Sequence, residues 1–260
     1  MFNLQDKKDG KKNYQKYLWR PAAVLGALLV WQTVSLLVNS KILLVGPVEV
    51  FLRLLTIWRG REFWTSILFS LTHIFGGFAA GFVLGLFFAC LAYRFKAFKI
   101  ILWPWMATVK SVPVASFVVI CLIWLSPANL SVFISFLIVL PIVYQNTLTA
   151  MEGLDPALTD LANMEKLSYP RRLLYIFFPN ITDQLVSTVS LTAGVAWKAG
   201  IAAEVIGTPH GSIGRQLYLS KIYLATDDLL AWTVIIVLLS VGFEKLFVFL
   251  IKKGFELKAK

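Results

Sequence analysis

Among the charged residues inside the long apolar stretches of this 260-residue sequence, Lys110, Lys198 and Glu204 stand out. An ionisable side chain at membrane depth is expensive, so it normally faces water, a solute or a partner charge. Lys110 adjoins the helix-breaking run Ser111-Val112-Pro113, where an ammonium group can attract an anion. The plainer alternative is a lysine snorkelling to the interface. Lys198 and Glu204 are six residues apart and so fall on different faces of a helix, which argues against a simple ion pair between them. Glu204 is left to satisfy a neighbouring helix or a gate. Pro113 and Pro141 interrupt helices, and the backbone groups they free must face protein or a water-filled cavity. Lys110, Pro113, Lys198 and Glu204 are therefore the candidates for lining a solute pathway. No catalytic, cofactor-binding or metal-ligating residue is assigned. The chain has no G-x4-G-K-[ST] phosphate loop, no H-E-x-x-H and no G-x-S-x-G. His73 and His210 are far apart, and Cys90 and Cys121 sit inside apolar runs as inert thiols.

The elements that position these residues are membrane helices. The chain is 58% hydrophobic and 15% charged, with a mean hydropathy of +0.74. Soluble domains lie near half apolar and a quarter charged. Alternating segments of a transmembrane barrel are absent, so the expected fold is all-α and polytopic, with about six transmembrane helices. The apolar runs place them near 21–38, 66–93, 98–125 (broken at Lys110–Pro113), 130–150, 183–206 and 229–251. The first run has 18 residues, longer than an ordinary signal-peptide core, and no small-x-small site follows it, so it reads as a retained helix. A basic tail over 1–20 and a C-terminal tail over 252–260 flank a single membrane domain over 21–251. Gly77, Gly81, Gly85 and Ala89 recur every four residues and form a small-xxx-small ridge for close helix packing.

Net charge is +11, and the placement of Lys and Arg explains it better as orientation than as nucleic-acid binding. With both termini in the cytoplasm, 17 of the 25 basic residues fall on the inside and six on the outside. That arrangement puts the segment Leu154–Pro179 on the inside as well. It is a polar island in an otherwise lipid-soluble chain. Asp155-Pro156 is an N-cap followed by proline at the first helical position. Leu158, Leu161, Ala162 and Glu165 then recur at helical spacing, and Ser168-Tyr169-Pro170 starts a second short helix. An amphipathic segment lying on headgroups would carry more Lys and Arg on its polar face. The Asp and Glu of the first helix favour docking to a soluble partner instead.

Asp160-Leu161-Ala162 followed by Ile176-Phe177-Phe178-Pro179 resembles the EAA motif of ABC importer permeases, E-A-A-x3-G-x9-I-x-L-P, with the spacing to Ile176 and Pro179 preserved. Three further stretches are similar to the nitrate/sulfonate/taurine branch. They are Gly46-Pro47-Val48-Glu49-Val50, Trp197-Lys198 with Ala202-Ala203-Glu204, and Gly211-Ser212-Ile213-Gly214. The resemblance spans roughly 15–253. It implies a permease subunit of an ATP-driven importer, in a prokaryotic plasma membrane, with a cytoplasmic coupling segment at 155–172. Asp160, Leu161, Ala162, Glu165, Lys166, Ile176 and Pro179 would then couple to a separate ATP-binding subunit. It also implies a second permease copy in a homodimer and an extracytoplasmic solute-binding protein facing the loop 207–228. The expected solute is a small anion or a vitamin precursor. Two departures stand out: Lys166 replaces the motif glycine and Asp160 the leading glutamate. The rival readings are an ion-gradient-driven secondary transporter, which would need an internal repeat with paired broken helices, and a membrane-embedded enzyme, which the missing catalytic clusters disfavour.

Overall fold

The computed structural model describes the backbone of residues 4–256 and the side chains of 21–254, so most side chains of both expected tails lie outside the described residues. In hydrocarbon, every backbone N–H and C=O must be satisfied within the segment, and the described residues accordingly form helices with no strand. α1 runs Leu4–Val38, straight through Pro21, and its apolar part, Pro21–Val38, is almost wholly exposed. The short helix α2, Pro47–Ile57, follows. α3, Arg61–Arg94, has 34 residues, about 51 Å at 1.5 Å per residue against ~30 Å of hydrocarbon. It therefore overruns the bilayer.

The third expected span is two helices, α4 (Lys96–Ser111) and α5 (Val114–Cys121), which meet at 101°. The break falls at the Val112-Pro113 step the sequence marks. α6 is Pro127–Glu152, and the island follows as α7 (Pro156–Met164), α8 (Tyr169–Arg172), a π-helical turn (Leu173–Phe177) and α9 (Phe178–Asn180). α10 (Thr182–Gly207), α11 (Ile213–Ile222) and α12 (Thr226–Glu256) complete the chain. Among the described residues, five helices are long and apolar enough to cross a membrane, and six crossings result if the bent pair counts as one. The expected loops around 39–65 and 207–228 each hold an extra helix.

α3 and α6 run parallel in contact along the glycine ridge. A Cβ on Gly77, Gly81 or Gly85 would lie 2.2, 2.9 and 2.9 Å from the carbonyl oxygens of Val132, Phe136 and Leu140. Only glycine lets the two backbones come this close. The main core fills the space between α3, α6, α10 and α12, with Phe78, Phe243 and Phe247 in mutual ring contact and Trp197 against Phe243. At the end of the bundle away from the island, Arg53 of α2 pairs with Asp228 of α12, and this hydrogen bond raises the Arg53 pKa.

Candidate functional site

The island folds as a hinged lever outside the bundle. Asp155 Oδ1 accepts from Ala157 N at 2.9 Å and caps α7, with Pro156 in the first turn. Ala162 is buried and faces the bundle, whereas Asp160, Leu161, Met164 and Glu165 are exposed. Met164 is 80% exposed and Leu161 50%, so α7 presents an apolar patch to water between two carboxylates. Such a patch on a polar helix marks an interaction surface.

The turn after α7 explains why a glycine is expected there. Leu167 N bonds Ala162 O and Lys166 N bonds Asn163 O, both at 3.1 Å. These are the paired bonds of a Schellman C-cap, which needs a left-handed residue between them. Lys166 takes that place with φ +50°. A left-handed non-glycine residue costs roughly 1–2 kcal/mol. Arg172 braces the turn, its Nε donating to Leu167 O at 2.8 Å and its Nη1 to Asn163 Oδ1 at 2.7 Å. The Tyr169 hydroxyl then fastens the lever to α3 by donating to Cys90 O. Burial, aided by nearby Cys90 and Tyr93, pushes the Tyr169 phenol up to about 12, so it is a donor at neutral pH. Ile176 lies buried in the π-helical turn, and Pro179 is exposed in α9.

The membrane part carries a separate set of charges. Lys198 sits nine residues, about 14 Å, inside the end of α10. Its neighbours Trp197, Ala199 and Gly200 are buried, and Trp197 Nε1 donates to Ile236 O at 3.0 Å. The indole sets the rotation of α10, so Lys198 is turned out of the bundle beside exposed Leu191 and Ala202. A lysine presented to lipid near a helix centre costs about 2.5–3.5 kcal/mol on insertion scales. That face therefore needs protein or water against it. Lys110 is exposed in the last turn of α4, and Pro113 stands at the bend, capping α5.

Glu204 is fully buried. Its Oε2 accepts from Ser70 Oγ at 2.6 Å and from Gly214 N at 3.2 Å, while Ser70 Oγ accepts from Ile213 N at 3.0 Å. Ser131 of α6 lies beside the same carboxyl group. The residue thus ties the first turn of α11 to α3 and α10.

A family model for the binding-protein-dependent transport system inner membrane component matches residues 81–256, from the middle of α3 to the end of α12. The chain belongs to that family. It is a multi-pass permease subunit of an ABC importer. It is 25% identical over 234 residues to the putative aliphatic sulfonates transport permease protein of Bacillus subtilis (strain 168), covering 88% of this chain and 83% of the relative. The taurine transport system permease protein of Escherichia coli (strain K12) is 24% identical over 220 residues, covering 82% and 80%. A bicarbonate transport system permease protein of Synechococcus elongatus is 24% identical over 230 residues, covering 78% and 80%. A solved bacterial ABC transporter involved in import of the acidic polysaccharide alginate superposes with a TM-score of 0.61 at 14% identity, over 96% of this chain and 99% of that chain. An amino acid ABC transporter gives 0.60 at 17% identity, over 74% and 94%. These likenesses establish the fold.

The permease also holds groups that a reading of the sequence passes over. Glu244 of α12 accepts a hydrogen bond from Ser190 of α10. Its signal was available, as a carboxylate within an apolar run. Tyr169 gave no signal, because its partner is a main-chain carbonyl 79 residues away.

Proposed function

We propose that this permease pairs with a second copy of itself, docks a cytoplasmic ATP-binding subunit through 155–172, and passes a small oxyanion received from an extracytoplasmic binding protein. The observation that carries the reading is α7, an N-capped amphipathic helix whose Ala162 is buried while Leu161 and Met164 are bare. Such a surface is suited to a groove on a soluble partner. Asp160, Leu161 and Glu165 make the contact, Ala162 and Ile176 seat the lever on the bundle, and Lys166 and Pro179 shape its ends. With the lever in the cytoplasm, both termini are cytoplasmic, and α11 with the loop 207–228 faces the binding protein.

The exposed Lys198 supports the pairing. A second copy laid on that face of α10 would shield the ammonium from lipid and enclose a watered path. Lys110 and the bend at Pro113 line the same path, and Glu204 holds α11 at its outer mouth. Aliphatic sulfonates, taurine and bicarbonate, named for the relatives, each carry an oxyanion, which matches two lysines that form no ion pair among the described residues. A vitamin precursor remains the second solute class.

Co-expression with an ATP-binding subunit tests the docking. The wild type is expected to co-purify with that subunit, and Leu161→Glu to lose it while still inserting in the membrane. Association undiminished by Leu161→Glu would remove α7 as the docking element.

A further inference from the structure

Behind the lever lies a cavity of about 490 Å³, between the end of α3 and the inner side of α7 and α8. Arg94, Arg172, Tyr93, Tyr169, Thr159 and Phe177 are prominent in its wall. No Asp or Glu among the described residues lines it. The two ion pairs among the described residues are elsewhere, so neither guanidinium has a carboxylate partner. Arg172 is held rigid by its bonds to Leu167 O and Asn163 Oδ1, which leave Nη2 without a hydrogen-bond partner among the described residues. Arg94 has its guanidinium carbon 5.3 Å from the centroid of the Phe95 ring and joins the cavity wall near Tyr169. The Tyr93 ring packs edge-on against Phe177 at 4.9 Å and adds an apolar side.

Two unpaired guanidiniums on one concave wall favour an anion, because the planar fork matches the geometry of oxyanions. The volume falls in the range of small-molecule sites, about 300–1,000 Å³. A single carboxylate side chain from a docked protein would leave most of it empty. The exposed patch of α7 points away from the cavity, so the two surfaces are separate. We propose that this cavity binds a small organic oxyanion with a short apolar body, a sulfonate or phosphate monoester, clasped between Arg94 and Arg172. Such an occupant links the end of α3 directly to α8 and so fastens the lever to the bundle. The source is either a free solute or the phosphate of a lipid headgroup. The site stands apart from the docking of an ATP-binding subunit, since binding is measured on the permease alone.

The full-length chain in phosphatidylcholine nanodiscs, titrated with ethanesulfonate and with inorganic phosphate, tests this by calorimetry. Saturable binding of ethanesulfonate is expected, weakened about tenfold or more by Arg94→Gln, as follows from losing one charge-assisted contact. The melting temperature without probe should not move in that variant, and Arg94→Lys should restore part of the affinity. If phosphatidylglycerol in the nanodisc abolishes the Arg94-dependent signal, the headgroup phosphate is the occupant and the oxyanion site stands. Binding of equal strength in wild type and Arg94→Gln overturns the proposal. So does no binding of either probe in phosphatidylcholine together with no Arg94-dependent uptake of phosphatidylglycerol.

Discussion

Ser70, Glu204 and Gly214 come from three helices and meet at one buried carboxylate. Gly214 is where this meeting is most sensitive. A Cβ there would lie 2.3 Å from Glu204 Cβ and 2.5 Å from Val205 N, so Gly214→Ala must push α11 off α10. A lowered melting temperature in detergent is expected. Glu204→Ala should destabilise by about 1–3 kcal/mol, since it strands the buried Ser70 hydroxyl and Gly214 amide. Glu204→Gln, which keeps one carbonyl oxygen, should lose less. Denaturant unfolding of the three variants checks the order. Lys166 is the opposite case. Lys166→Gly relieves a left-handed lysine worth roughly 1–2 kcal/mol and should slow hydrogen exchange across 163–167. The sequence alone marks this position, because a lysine stands where the motif has glycine. It cannot reveal Ser70, which lies 134 residues from Glu204 and carries no pattern of its own.

Among the elements, the spans were readable wherever one rule governed them. Period-four glycines marked the face of α3, and Pro113 marked the bend between α4 and α5, since each acts on its own backbone. The extra helices α2 and α11 were hidden by the length of a membrane span, against which 11 and 10 residues look like loop. Their caps were nonetheless written in the chain. Gly46 N bonds Glu49 Oε2 at 3.0 Å, and Ser212 Oγ accepts from Arg215 N at 3.0 Å. The closeness of α3 to α6 yields a sharp expectation. Gly81→Leu puts a branched side chain where even a Cβ meets Phe136 O and Val139 at 2.9 Å. The helices must separate, and the yield of folded protein in detergent should fall well below that of Gly76→Ala, a site with open space around its Cβ.

At the scale of the whole molecule, the telling feature is the exposed ammonium of Lys198, about 14 Å inside the end of α10. If two copies enclose it, Lys198→Met should leave insertion and pairing intact while ATP-driven uptake of an anionic solute into proteoliposomes falls by tenfold or more. Uptake at the wild-type rate would show that the charge serves neither solute nor water. Pairing itself is checked by Ala202→Cys, one turn along the same face, where a thiol crosslinker should yield a dimer. From Tyr169 to Gly207 the backbone stays helical but for a step at Ile181, and it includes the five-residue wide turn at Leu173–Phe177. A turn of that type amounts to one surplus residue threaded into an ordinary helix. Each residue advances a helix by about 100°. The wide turn takes up that advance, so the helix on its two sides keeps the angular phase it would have without the extra residue, much as a slack link leaves a chain seated on its teeth. Excising Leu174 should therefore turn the stretch into plain α-helix and leave Arg172 and Phe178 facing as they do now.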